Sequence, residues 1–257
     1  MQDRQSLRIG CVKYLNARPL IHGWPGDVVL DHPSALCAQL ARGDLDVALV
    51  SSLEFLRNPI YKIVDKIAIS SDGPVYSVVV AHLGRISDVK QIELDPAAET
   101  SGNLLRCLLS EQHLHPDFVA RSASVISKES ARLLIGDQAI RFRQKRPNEF
   151  SFWDLGEHWK KTIGLPFVYA LWLLRPEVVD PKSIADVLRA LRDQNLAKID
   201  KLISDEREFD SAFCDRYYRN HLRFNFGERE KQGLHAFHQL CQKHDLLPKG
   251  EIAFNVV

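Results

Sequence analysis

Two close histidine pairs, His113/His115 and His235/His238, are the first side chains in this sequence whose type and spacing could do chemistry. Imidazole serves as a general base or a metal ligand near neutral pH. His113 and His115 flank a turn before Pro116, and His235 and His238 fall on an ordinary amphipathic helix. With no HExxH, both pairs read as structural or surface histidines, and no metal centre is expected. GxSxG, GxxxxGK[ST] and GxGxxG are also missing, so nothing signals a serine nucleophile or a nucleotide. What remains is a set of small polar residues placed where strands end. Tyr14-Leu-Asn16 follows one strand, Ser51-Ser52 another, and Gly136-Asp137 a third, while Thr100-Ser101 opens a helix. Ser77 interrupts the apolar run Val75–Val80, where a buried hydroxyl needs a partner in the backbone or in a ligand. Each residue alone could be a cap or a turn former. Together they describe a cleft for a small anion, because α/β sheets bind ligands beyond strand C-termini and helix starts favour carboxylates.

The elements that must position these residues alternate. Leu7–Val12, Asp27–Leu30, Asp46–Val50, Ile63–Ile69 and Val75–Val80 are strand candidates, with a helix over Ser34–Gly43 capped by Ser34 and closed by Gly43. Gln91–Leu94, Leu133–Ile135 and Phe167–Leu174 add three strands. Leu104, Leu105, Leu108 and Leu109 give the helix opened by Thr100 an apolar face. The last third is helical, marked by Ile184, Val187, Leu188 and Leu191, then by Leu234, Phe237, Leu240 and Cys241. Strand–helix–strand order implies an α/β fold with parallel pairing.

The whole chain is 257 residues with 34 Lys+Arg against 33 Asp+Glu, so a net charge of +1 offers no nucleic acid or anionic membrane an electrostatic footprint. No apolar run approaches bilayer length. The five cysteines are scattered, odd in number and without CxxC, and Met1-Gln-Asp-Arg-Gln-Ser shows no signal-peptide h-region. A reducing, cytoplasmic location is therefore expected.

Six segments in order carry a resemblance: Tyr14-Leu-Asn-Ala-Arg-Pro-Leu20, Asp46-Val-Ala-Leu-Val-Ser-Ser-Leu-Glu-Phe55, Gly73-Pro-Val-Tyr-Ser-Val78, Ile135-Gly-Asp-Gln-Ala139, Asp154-Leu-Gly-Glu157 and Gly164-Leu-Pro-Phe-Val-Tyr-Ala-Leu-Trp172. They resemble the chorismate dehydratase family of the futalosine route to menaquinone, over about Ile9 to Trp172. The resemblance implies a two-lobed α/β fold of the type II periplasmic-binding-protein kind, with the ligand cleft between the lobes. It places one lobe at 1–82 and 173–257 and the other at 83–172, the chain crossing near Val80 and Trp172. It also implies loss of water from chorismate, a small dicarboxylate, to give 3-[(1-carboxyvinyl)oxy]benzoate with no cofactor. On the matching motif positions, Asn16 and Ser77 are the catalytic candidates. Tyr14, Ser52, Thr100, Ser101, Gly136 and Asp137 are the substrate-binding candidates, with Asp137 orienting backbone. The substrate's own side-chain carboxylate is the candidate acceptor for the ring C3 proton. Where relatives often show Ser-Arg before the helix start, this chain has Ala97-Ala98-Glu99. Glu99 would there oppose an anion, leaving Arg18, Arg141 or Arg143 to compensate. Two alternatives stay open: the related cyclic dehypoxanthine futalosine synthase, which needs a histidine base, and a non-catalytic cytoplasmic binding protein for a small carboxylate.

Overall fold

A computed structural model describes residues 7–95, 98–121 and 125–257. Ala97 and the segment Met1–Ser6 lie outside the described residues.

Among the described residues, ten strands form two five-stranded mixed sheets. The first holds β1 (Ile9–Val12), β2 (Val28–Asp31), β3 (Val47–Ser51), β4 (Lys62–Ser71) and β10 (Phe167–Leu174), in the order β2-β1-β3-β10-β4. The second holds β5 (Val78–His82), β6 (Gln91–Leu94), β7 (Asp117–Ala120), β8 (Ser130–Ile135) and β9 (Ser151–Asp154), in the order β7-β6-β8-β5-β9. Parallel pairing joins β1 to β2 and β3, and β6 to β7 and β8. The exceptions are β10 and β5, each antiparallel to both of its neighbours. These are the strands on which the chain arrives from the opposite lobe, so no same-sheet crossover constrains their direction.

That exchange relocates the lobe boundaries. Val80 lies inside β5, paired with Leu133 and Trp153 of the second sheet, and Trp172 lies inside β10, paired with Leu49 of the first. The crossings expected near those residues therefore fall earlier, between Ser71 and Val78 and between Asp154 and Phe167. Ser77 is accordingly a residue of the first crossing and not of a strand. The apolar run Val75–Val80 hides a tight turn: Tyr76 takes φ +68°, and the Ser77 N–H donates to the Val75 carbonyl at 2.8 Å. This is a γ-turn, a conformation unfavourable enough to need outside support.

The support comes from Asp154, at the end of β9. Its buried carboxylate accepts the N–H groups of Val75 (3.0 Å) and Tyr76 (2.8 Å), and caps the helix Leu155–Ile163 through Glu157 N–H at 3.1 Å. Arg143 donates to the Tyr76 carbonyl at 3.2 Å and lies over the Tyr76 ring. Gly156 follows because a Cβ there would sit 2.5 Å from the Gly73 carbonyl oxygen. The segment Asp154-Leu-Gly-Glu157 is thus the clamp on the first crossing.

Helices cover the sheets. Pro33–Arg42 starts one residue before Ser34 with His32 at its N-cap, and Gly43 closes it in the left-handed conformation as expected. The helix Glu99–Glu111 likewise begins without a side-chain cap, so Thr100 and Ser101 are not its caps. Trp159, Phe167 and Phe237 pack edge to face and tie the helices Leu155–Ile163 and Glu228–Lys243 to β10. Among the described residues no helix is long and apolar enough to cross a membrane.

Candidate functional site

A cleft opens between the two sheets. Its walls are apolar, from Val12, Ile69, Val75, Val78, Ile135 and Ala170. Into them project Tyr14, Asn16, Ser51, Ser77, Thr100, Ser101 and Tyr169, with Gly136 and Glu99 at the edges. Among the described residues no lysine, arginine or histidine lines it.

Asn16 sits in a single helical turn after β1 (Leu15–Ala17), where the Tyr218 hydroxyl holds the Leu15 carbonyl at 3.0 Å. Its Oδ1 is buried without a protein partner, so an acceptor waits inside the cleft. Ser77, wholly buried, arrives from the opposite direction on its γ-turn, with its carbonyl accepting the Gly136 N–H at 2.8 Å. The Tyr217 hydroxyl donates to Ser77 Oγ at 2.7 Å. Burial holds that phenol far above its ordinary range, against the pull of the neighbouring Ser77 and Asn16, so it remains a donor. Tyr14 lies flat against Gly136, whose φ is +57° and where a Cβ would be 2.9 Å from the ring. Burial, with Asp95 and Asp137 nearby, pushes the Tyr14 hydroxyl up to about 12.

Thr100 and Ser101 bring to the cleft the first turn of Glu99–Glu111, whose N–H groups lack helical acceptors. The Thr100 hydroxyl meets that of Ser51 across the gap and accepts the Leu53 N–H at 3.4 Å. Ser52, by contrast, turns away: its hydroxyl donates to the Val168 carbonyl at 2.7 Å, and Ser51 takes the place in the cleft expected for it. Asp137 lies outside the cleft lining and accepts the Leu15 N–H at 2.9 Å, joining the lobes beside Asn16.

The arginines do not compensate as expected. Arg18 pairs with Glu206, Arg141 with Glu208, and Arg143 is held on the Tyr76 turn. Nor does Glu99 confront the cleft unopposed, because Arg57 pairs with its carboxylate across the rim. Among the described residues the cleft lining offers hydroxyls and a helix start but no cation.

Asp137 carries a pH consequence. Burial pushes its carboxyl up to about 6, against the pull of the Leu15 N–H and Arg141. A carboxyl raised on folding contributes stability at low pH that is lost as pH climbs through about 6. Asp137→Asn keeps an acceptor for Leu15 but cannot ionise. Its melting temperature should exceed the parent's near about pH 8, with the gap narrowing below about pH 6 and closing only near about pH 4. Equal curves for the two proteins across that range would contradict the burial argument.

Comparison with known proteins bears on the family and the fold. The family model for menaquinone biosynthesis matches residues 7–243. The chorismate dehydratase of Thermus thermophilus is 28% identical over 256 residues, covering 89% of this chain and 93% of that protein. The chorismate dehydratase of Campylobacter jejuni is 27% identical over 240 residues, covering 91% and 92%. A solved structure from Archaeoglobus fulgidus superposes with TM-score 0.72 at 19% identity, covering 94% of this chain and 98% of that one. The periplasmic aliphatic sulphonate binding protein of Escherichia coli gives 0.64 at 13%, covering 95% and 88%. The fold is therefore the two-lobed periplasmic-binding-protein kind, with the cleft between its sheets. Because the family match runs through both lobes and most of the helical tail, this chain belongs to the menaquinone biosynthesis family.

Proposed function

We propose that this chain is a cytoplasmic hydro-lyase that removes water from chorismate to give 3-[(1-carboxyvinyl)oxy]benzoate. The observation that carries this reading is the meeting of Asn16 and Ser77 in one apolar cleft, Asn16 with an unpartnered Oδ1 and Ser77 with its oxygen already supplied by Tyr217. The two chorismate dehydratase relatives support it from sequence.

The chemistry asks little beyond positioning and polar stabilisation. The ring C3–H bond is γ to an unsaturated carboxylate, so its electron pair delocalises toward that group as the proton leaves. The pair then forms the C3–C4 double bond while the C4–O bond breaks, and the three ring double bonds become aromatic. Proton and hydroxide leave together as water, with no net oxidation. The substrate's side-chain carboxylate takes the C3 proton. Asn16 Oδ1 accepts the C4 hydroxyl hydrogen in the ground state, and the Ser77 hydroxyl donates to the departing oxygen. Thr100, Ser101 and the helix start hold a carboxylate. Exclusion of water by the apolar walls strengthens each of these contacts. The cleft lining contains no histidine among the described residues, which favours dehydration over a reaction needing a histidine base.

The test is incubation of purified, metal-free protein with chorismate, followed by chromatography with mass detection. A product lighter by one water, formed at a rate proportional to protein, supports the proposal. No turnover with a chorismate-dependent rise in melting temperature replaces it with a non-catalytic binding protein. Neither effect rejects chorismate as the ligand.

A further inference from the structure

We infer that Tyr217 is a positioning residue for the dehydration, fixing the direction in which Ser77 donates its hydrogen bond. This rests on the functional reading above. Tyr217 is wholly buried, and its hydroxyl donates to Ser77 Oγ at 2.7 Å. A serine hydroxyl has one hydrogen and two acceptor lone pairs. With the phenol hydrogen occupying one lone pair, the serine hydrogen turns away from Tyr217. Ser77 lines the cleft, so that hydrogen is available to a ligand there. Ser77 is thereby presented as a donor, the role that a departing hydroxide needs. A hydroxyl that accepts one hydrogen bond also donates a stronger one.

The placement of Tyr217 is not that of a filler of the core. It begins a π-turn, Tyr217–His221, an arrangement that gathers at functional sites. Three side chains of that one turn reach the two segments carrying the catalytic candidates. Tyr217 takes Ser77, Tyr218 takes the Leu15 carbonyl beside Asn16, and His221 Nδ1 approaches the Pro74 carbonyl at 2.9 Å on the Ser77 crossing. The Phe213 ring stacks on Tyr217 at 5.5 Å and 16°, holding the phenol in line.

Tyr217→Phe removes one oxygen and keeps the ring and its stacking. With chorismate as substrate, kcat should fall about 10- to 100-fold while KM stays within about threefold. In a Ser77→Ala background the same change should cost nothing further, because the hydroxyl it directs is gone. Retention of kcat within about twofold, a change confined to KM, or a full additional loss in the Ser77→Ala background would each overturn the inference. If Tyr217→Phe does not fold, a polyfluorinated tyrosine installed at position 217 gives the readout. Its more acidic phenol should introduce an alkaline fall in kcat that the parent lacks, and an unchanged pH profile would overturn the inference. A parent protein that fails to dehydrate chorismate refutes the functional reading first, before any variant is compared.

Discussion

Ser77→Ala lowers kcat for chorismate by about 100- to 1,000-fold, the usual loss when one preorganised donor to a developing negative charge is removed. The expectation follows from geometry. Ser77 is the wholly buried hydroxyl on the wall opposite Asn16, and no cation lines the cleft among the described residues to take over its work. Asn16→Ala produces a loss of similar size, because its Oδ1 has no protein partner to satisfy and serves only a ligand. The two variants differ in stability. Ser77→Ala strands the buried Tyr217 hydroxyl without an acceptor, costing about 1–3 kcal/mol. Asn16→Ala removes an acceptor that was already unmet and costs less. Steady-state kinetics beside thermal melts separates the two effects. Near-parent kcat in either variant removes that residue from the mechanism.

Asp154→Ala gives the largest expected loss of stability, about 3–5 kcal/mol, which corresponds to a melting temperature roughly 10 °C lower. Its carboxylate accepts three backbone N–H groups at once, two in the strained first crossing and one at the start of the helix Leu155–Ile163. Removing it leaves buried donors unpaired and frees Tyr76 from its unfavourable φ. Ser77 is the next residue, so the surviving folded population should also lose activity. Asp154→Asn, which retains one accepting oxygen, should fall between parent and alanine variant in both melting temperature and kcat. A melting temperature within about 2 °C of the parent for Asp154→Ala would show that the crossing needs no clamp.

Much of the architecture was legible because it is written in local patterns. The uniformly apolar Val47-Ala-Leu-Val50 can only be a buried strand, and the leucines at 104, 105, 108 and 109 can only share one helical face. The strands Asp117-Phe-Val-Ala120 and Ser151-Phe-Trp-Asp154 escaped notice, being four residues long with two or three apolar side chains each. Their pairing is decided by β6 and β5, which lie far away in sequence. The lobe boundaries were misplaced for a related reason. Apolar content reports that β5 and β10 are buried, but not in which sheet, since a central strand is equally apolar in either.

The sequence by itself determined an α/β chain with polar residues gathered at strand ends, and it singled out Asn16, Ser77, Thr100, Ser101 and Gly136, which all meet in one cleft. These are short-range facts: a strand ends, a helix begins, and the polar residue at the junction has few other uses. Only the tertiary structure decided between Ser51 and Ser52, because which of two adjacent hydroxyls faces the cleft depends on where the Val168 carbonyl lies. It alone brought Tyr217 and Tyr218 from the helical tail to the two catalytic candidates, contacts that span most of the chain. It alone paired Glu99 with Arg57, turning an apparent repulsion into a closed rim. Hydrogen-bond partners distant in sequence leave no periodic trace, so the residues that aim the site become visible only when the lobes are folded together.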